Sequence, residues 1–142
     1  MATTPKTFIL TAEEKEPNSF EYVSGRHHLL MSKTMKGQEV PTTWFSPVDL
    51  MLSGVAGCLG LTFRAFMEEA GFTYENLRIE VTGVRPEGAT RSGIFSLSTK
   101  VFVKTDADPE KVKEIVEKSE QSCTVRNTMD NPPTFATEVV FE

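Results

Sequence analysis

The sequence predicts an α+β fold, organised as one domain over residues 1–142. Three observations indicate this class: short β-prone runs separated by turn residues fill the first third, a long apolar stretch follows, and a strand pair precedes an amphipathic helix. A chain of this length, with 39% hydrophobic and 25% charged residues, is typical of one globular domain with a buried core.

The first third is predicted to form a small antiparallel meander, because Gly, Pro, Asn and Ser interrupt it at short intervals. Its three β-prone runs are residues 6–11, 20–23 and 26–32. Residues 36–46 show no clean period, and we expect them to form a loop that crosses the surface or reaches a partner.

A long central helix is predicted to begin at Pro47 and to end before Gly71. Ser46 is a favourable N-cap, Pro47 suits the first helical position, and Asp49 lies where the acid of a capping box belongs. Gly71 is a typical C-terminal stop. Apolar residues occupy nearly every side of this helix, so we expect other elements to enclose it.

Three glycines recur at every third position of the predicted helix: Gly54, Gly57 and Gly60. Each costs about 0.5–1 kcal/mol of helix stability relative to alanine. We therefore expect another element to pack very close to this side of the helix.

The rest of the chain is predicted to contain an antiparallel strand pair, a second helix and a last strand. Alternating apolar residues mark strands at 77–81 and 94–104. Asp108 and Pro109 open the helix, which is apolar on one side only. The last strand is expected at residues 135–141.

Charge and composition argue against several classes of function. Fifteen Lys and Arg against twenty Asp and Glu give a net charge of −5, so no nucleic-acid partner is expected. The most apolar window, residues 48–63, is shorter than the roughly 20 residues that cross a bilayer, and the first ten residues lack a secretory signal. Two cysteines without a Cys-x-x-Cys pair favour a reducing cytoplasm.

The two cysteines are the first candidates for chemistry. Cys58 lies in mid-helix among small residues, where it is either an inert core residue or a thiol that a nearby cation or hydrogen-bond donor activates. Cys123 returns to nearly the same helical azimuth as Val112, so we expect it to face inward. If the two meet, a reactive thiol with a resolving partner and a transient disulfide is an option.

Arg26, His27 and His28 are the second group of candidates, as a cation, a general base or metal ligands. Alternation along a strand sends the two histidines to opposite faces, so both are not expected to bind one ion. One histidine with two cysteines still lacks a clear fourth ligand, although Asp49 stays open as one. We expect neither a metal nor an organic cofactor.

Three blocks of residues, in this order, resemble the OsmC/Ohr family of osmotically inducible and organic hydroperoxide resistance proteins. They are GRHHLL at 25–30, SPVDLMLSGVAGC at 46–58 and SCTVRNT at 122–128. The resemblance spans most of the chain. It implies a subunit whose antiparallel strands wrap around a central buried helix, and two such subunits intertwined as a homodimer.

The resemblance also implies a chemistry for the two cysteines. In peroxidases of the family, the cysteine that matches Cys58 attacks a hydroperoxide and becomes a sulfenic acid, and the one that matches Cys123 resolves it to a disulfide. Those enzymes place a Glu at the position of Val48, where it holds a catalytic Arg. Here Asp49 follows one residue later and Arg26 is the arginine candidate, a pattern closer to a less characterised OsmC-like branch.

The sequence and the resemblance together predict a cytoplasmic, homodimeric, thiol-dependent peroxidase that acts in oxidative stress defence. We expect it to prefer organic hydroperoxides and to need an external dithiol reductant. Its catalytic residues are predicted to be Cys58, Cys123, Arg26 and Asp49. The alternatives are an OsmC-like dimer that binds a small apolar or electrophilic ligand without turnover, and a dimeric scaffold stabilised by a disulfide.

Overall fold

A computed structural model describes residues 7–9, 11–16, 19–24, 27–32 and 45–142. The chain divides into two units, Met1–Met51 and Leu52–Glu142, and each is described by itself. The described elements comprise strands and α-helices, and their strands pair antiparallel, which confirms the α+β class. The expectation of a single domain stays a prediction.

The first unit contains the predicted antiparallel meander. Its strands are β1 (Thr11–Glu16), β2 (Ser19–Ser24) and β3 (His27–Ser32), paired in the order β1-β2-β3. The first strand, predicted at 6–11 from the apolar residues there, was misplaced: residues 7–9 form no strand, and residues 6 and 10 lie outside the described residues. Glu16 pairs with Ser19 across only two intervening residues, so the residues directly before this connection form the strand.

Helix α1 (Pro47–Glu69) begins and ends where the sequence predicts. The Asp49 backbone N–H donates to the Ser46 hydroxyl oxygen at 3.1 Å, and the Ser46 N–H donates to the Asp49 carboxylate at 2.8 Å. This is the reciprocal geometry of a capping box. Gly71 has a φ of +76°, the left-handed conformation that makes glycine a frequent helix stop.

Within the second unit, other elements cover one side of α1, and its enclosure on the remaining sides stays a prediction. Only one stripe of the helix is buried, at i, i+4 spacing: Val55, Leu59, Phe63 and Met67. Leu61, on another side, is 74% exposed. An 18-residue window of the helix has a mean hydropathy of 1.5 but is only 22% buried. By length and composition α1 passes the test for a membrane span, as core helices of soluble proteins also do.

The second unit is built on a strand pair and a helix that cover the C-terminal half of α1. Strands β4 (Glu75–Val84) and β5 (Ser96–Lys104) pair antiparallel, as predicted. Helix α2 (Pro109–Ser122) starts at the N-cap Asp108, whose carboxylate accepts from the Glu110 N–H at 3.1 Å. Phe63 and Met67 pack against Val112 and Ile115 of α2 in the core of this unit.

A short helix, α3 (Thr124–Asp130), follows α2 and was not expected from the sequence. The strand predicted at 135–141 was wrong, because residues 131–142 form no strand in the structure. Phe135 and Phe141 are 89% and 92% exposed. A strand needs a hydrogen-bonded neighbour, and the pairings of the described strands do not include this segment.

The glycine positions on α1 face different surroundings. A Cβ on Gly60 would lie 3.3 Å from Ile79 Cδ1 of β4, which confirms close packing at that position. A Cβ on Gly54 would make an ordinary contact of 3.8 Å with Val125. A Cβ on Gly57 would meet no described atom within 4 Å, and Gly57 is exposed.

Candidate functional site

The structure brings the two cysteines together. Cys58 lies half-buried in the middle of α1, and Cys123, which is 1% exposed, lies at the junction of α2 and α3. Both are free thiols, and their side chains are hydrogen bonded to each other. The inward orientation predicted for Cys123 is therefore confirmed, and the meeting of the two thiols, which the sequence left open, occurs.

Cys123 reaches this position because the helical backbone is interrupted there. Its φ of −72° and ψ of 114° are extended, so α2 ends at Ser122 and α3 begins at Thr124. The Cys123 carbonyl accepts the first bond of α3, from the Asn127 N–H at 2.9 Å. The first N–H groups of a helix have no acceptor within the helix, so those of α3 can donate hydrogen bonds to the two sulfur atoms.

Four hydrogen-bond donors surround the sulfur atom of Cys58. They are the backbone N–H groups of Val125 and Thr124, the thiol of Cys123 and the hydroxyl of Thr62. Burial of Cys58 raises the pKa of its thiol, but these four donors together lower it by more, so the pKa lies below the ordinary value. Among the described residues, the groups that stabilise this thiolate are uncharged donors rather than a cation.

The pKa of Cys123 is shifted in the opposite direction. Burial raises it most, and the hydrogen bond and charge of Cys58 raise it further, whereas the N–H groups of Arg126 and Val125 lower it. The net pKa lies above the ordinary value. Cys58 therefore ionises first, and Cys123 stays protonated and donates its proton in the hydrogen bond to the Cys58 thiolate.

Thr62 is a site residue that the sequence reasoning missed. It lies one turn after Cys58 on α1, and its hydroxyl donates to the Cys58 carbonyl oxygen at 2.7 Å. A hydroxyl residue four positions after the cysteine was the available signal, because i and i+4 lie on the same side of a helix. The N–H donors of Thr124 and Val125 had no comparable signal, since every residue except proline carries one.

Asp49 has a structural role in the cap of α1. The Ser46 backbone N–H, followed by the Ser46 hydroxyl, holds the pKa of the Asp49 carboxyl below its usual range. Arg26 lies outside the described residues, as do the side chains of His27 and His28, whose backbone belongs to β3. The catalytic parts predicted for Asp49 and Arg26 stay predictions.

Arg126 is the cationic residue nearest in sequence to Cys123, and it is engaged elsewhere. Its guanidinium lies 3.1 Å from the Glu120 carboxylate and 3.7 Å from that of Asp130. Its contribution to the site is its backbone N–H, which donates to the Cys123 sulfur. The described part of the chain contains no cluster of three His, Cys, Asp or Glu residues that could hold a metal ion.

Comparison with known proteins adds a family and a fold to this geometry. The family model of OsmC-like proteins matches residues 41–138. The fold is similar to that of an OsmC-like protein from Mycoplasma pneumoniae, with a TM-score of 0.79 and 21% identity over 91% of both chains. No significant match occurs among curated proteins.

Some of the similar structures carry names that refer to hydroperoxide resistance. The organic hydroperoxide resistance protein OhrB of Bacillus subtilis has a TM-score of 0.57 and 23% identity, over 89% of this chain and 93% of that one. An organic hydroperoxide resistance protein from Elizabethkingia anophelis has a TM-score of 0.61 and 14% identity, over 92% and 93%. With a family match over more than half of its length and this fold, the chain belongs to the OsmC-like family.

Proposed function

We propose that this protein is a thiol-dependent peroxidase that reduces organic hydroperoxides and acts in oxidative stress defence. One observation carries the proposal: two hydrogen-bonded thiols whose pKa values are shifted apart, down at Cys58 and up at Cys123. A reactive thiolate beside a protonated thiol is the arrangement that a peroxidatic and a resolving cysteine need.

The proposed reaction has two steps on the protein. The Cys58 thiolate attacks the terminal oxygen of the hydroperoxide, the O–O bond breaks, and Cys58 becomes a sulfenic acid while the substrate leaves as an alkoxide. The alkoxide takes a proton from the Cys123 thiol and leaves as the alcohol. The Cys123 thiolate then attacks the Cys58 sulfur, forming a disulfide and releasing hydroxide, which takes a proton from solvent to become water. An external dithiol reduces the disulfide by exchange.

The burial of the two thiols supports this division of roles. Cys58 is half-buried, so a substrate can reach it, whereas Cys123 is almost fully covered and is shielded from oxidants. Two sulfurs already within hydrogen-bond contact need only a small movement to form an S–S bond of about 2.05 Å.

We also propose that the protein is a homodimer. The open side of α1 at Gly57 and Leu61, and the exposed apolar C-terminal segment with Phe135 and Phe141, would be covered by a second copy of the chain. A cytoplasmic location accords with two free thiols that must be reduced after each turnover. Arg26 and Asp49 are proposed to tune the thiolate.

The proposal is tested by turnover with excess dithiothreitol as the reductant. The wild-type protein should consume cumene hydroperoxide continuously, Cys58→Ser should not consume it, and Cys123→Ser should stop or slow after one equivalent per chain. Ser122→Ala, which keeps both thiols, is the matched control and should retain wild-type turnover. Unchanged consumption by Cys58→Ser would overturn the assignment. Slow consumption by the wild type, together with saturable binding of an apolar ligand to Cys58→Ser, would favour the ligand-binding alternative.

A further inference from the structure

We propose that Thr62 is a positioning residue whose hydroxyl group orients the Cys58 side chain and donates a hydrogen bond to its sulfur when the sulfur is ionised. Its consequence for turnover rests on the proposed function. The contact with Cys58 itself does not depend on any peroxide chemistry.

The Thr62 hydroxyl lies close to both the backbone and the side chain of Cys58. The hydroxyl donates to the Cys58 carbonyl oxygen at 2.7 Å. This places it beside the Cys58 side chain, where its donor capacity lowers the pKa of the thiol. Both acceptors belong to the same residue, one turn earlier on the same helix. The side chain of Thr62 is half-buried, so this contact is partly shielded from competing water.

One hydroxyl proton has to serve two acceptors, and their relative strength changes with ionisation. A neutral thiol is a weak acceptor, so the proton stays on the carbonyl oxygen. A thiolate is charged, and hydrogen bonds to ionised groups are roughly twice as strong as those between neutral groups. Loss of the Cys58 proton therefore shifts the Thr62 hydroxyl toward the sulfur.

Thr62 differs from the other three donors in the element that carries it. The Cys123 thiol and the N–H groups of Thr124 and Val125 belong to one short segment, residues 123–125. Cys123 gives up its proton during the proposed reaction, so its donation ends at that step. Thr62 lies on the same helix as Cys58 and keeps its place whatever the state of Cys123.

The test is the pH dependence of Cys58 alkylation by iodoacetamide in the reduced, full-length protein. Tryptic peptides ending at Arg64 and Arg126 carry Cys58 and Cys123 separately, so mass spectrometry follows each thiol alone. Thr62→Val keeps the branched shape and removes the donor. It should raise the pKa of Cys58, so that alkylation is about threefold slower at pH values below the pKa and about threefold faster at the high-pH plateau, because a more basic thiolate is a better nucleophile.

Two matched variants separate the hydrogen bond from other effects. Thr62→Ser keeps the hydroxyl and should restore the wild-type profile. Thr128→Val removes an equivalent bond, from the Thr128 hydroxyl to the Thr124 carbonyl oxygen at 2.8 Å, without removing a donor to Cys58, and should leave the profile unchanged. A Thr62→Val profile that coincides with the wild type, or an equal change in Thr62→Ser, would overturn the inference. Because iodoacetamide replaces the peroxide, failure of the peroxidase proposal would leave this result standing.

Discussion

The Cys123 thiol donates a hydrogen bond to the sulfur of Cys58, sixty-five positions earlier in the chain. Burial raises the pKa of each thiol, and this contact then acts in opposite directions on the two, lowering the pKa of Cys58 and raising that of Cys123. The asymmetry assigns one thiol as the nucleophile and the other as the proton donor. Two cysteines that only fill space in a core have no need of pKa values shifted in opposite directions.

The order of ionisation predicts how alkylation of the two cysteines depends on pH. Cys58 should reach half of its maximal rate at a pH below the ordinary pKa of a thiol, and Cys123 at a pH above it. Both peptides can be followed by mass spectrometry after brief iodoacetamide pulses across the pH range. Coinciding midpoints, or a lower midpoint for Cys123, would refute the assignment of roles.

Thr124→Pro tests the backbone donors directly. Thr124 is the first residue of α3, where proline is well tolerated, and the preceding Cys123 is already extended, as a residue before proline prefers. The substitution removes one N–H from the Cys58 sulfur and should slow alkylation of Cys58 at neutral pH by about twofold to tenfold, the effect of losing one typical hydrogen bond of about 0.5–1.5 kcal/mol.

Thr124→Ala is the matched control for that experiment. It keeps the N–H and should leave the alkylation rate of Cys58 near the wild-type value. Circular dichroism should show equal helix content for the two variants. If proline and alanine slow the reaction equally, the N–H of Thr124 does not stabilise the thiolate.

If the exposed side of α1 lies in the dimer interface, Leu61→Asp should weaken the dimer. A charge at a side chain that is 74% exposed costs the single chain little, but it would be buried against a second copy. The dimer should therefore dissociate at least tenfold more readily, as measured by analytical ultracentrifugation. Thr90→Asp, which adds the same charge to an exposed turn, is the control. An unchanged dimer in Leu61→Asp would exclude this side of α1 from the interface.

Phe63 anchors the core of the second unit. Its side chain is fully buried, and its ring lies 5.7 Å from that of Tyr74, centroid to centroid. Phe63→Ala should lower the free energy of unfolding by about 3–5 kcal/mol, since a buried aromatic ring leaves a cavity. Phe66, three residues later on α1, is only partly buried, so Phe66→Ala should lower the free energy of unfolding by less. Urea unfolding followed by circular dichroism measures both, and equal losses would contradict this account of the core.

Local signals predicted α1 and α2 well. Ser46, Asp49 and Gly71 bound α1, and Asp108 caps α2, because caps depend on hydrogen bonds within a few residues. The same reasoning misplaced the first strand, whose position depends on its pairing with β2. It also predicted a strand at 135–141. A strand needs a paired neighbour, and none of the described strands pairs with this segment.

The site was predictable in its thiols but not in its backbone donors. The positions of Cys58 and Cys123 in the sequence indicated the pair, and helical periodicity indicated that Cys123 faces inward. The extended backbone at Cys123, which starts a new helix and aims N–H groups at both sulfurs, depends on the packing of α3 near α1. No pattern of side chains reports that arrangement.

The most direct test of the central claim is a stoichiometric oxidation followed by stopped flow and thiol counting. Reduced wild-type protein is mixed with one equivalent of cumene hydroperoxide per chain, and a parallel sample receives the same amount of hydrogen peroxide. We predict rapid loss of both thiols to one disulfide that joins the peptides of Cys58 and Cys123, faster with the organic oxidant. Thiols that persist for many minutes in both samples would contradict the claim that Cys58 is an activated nucleophile.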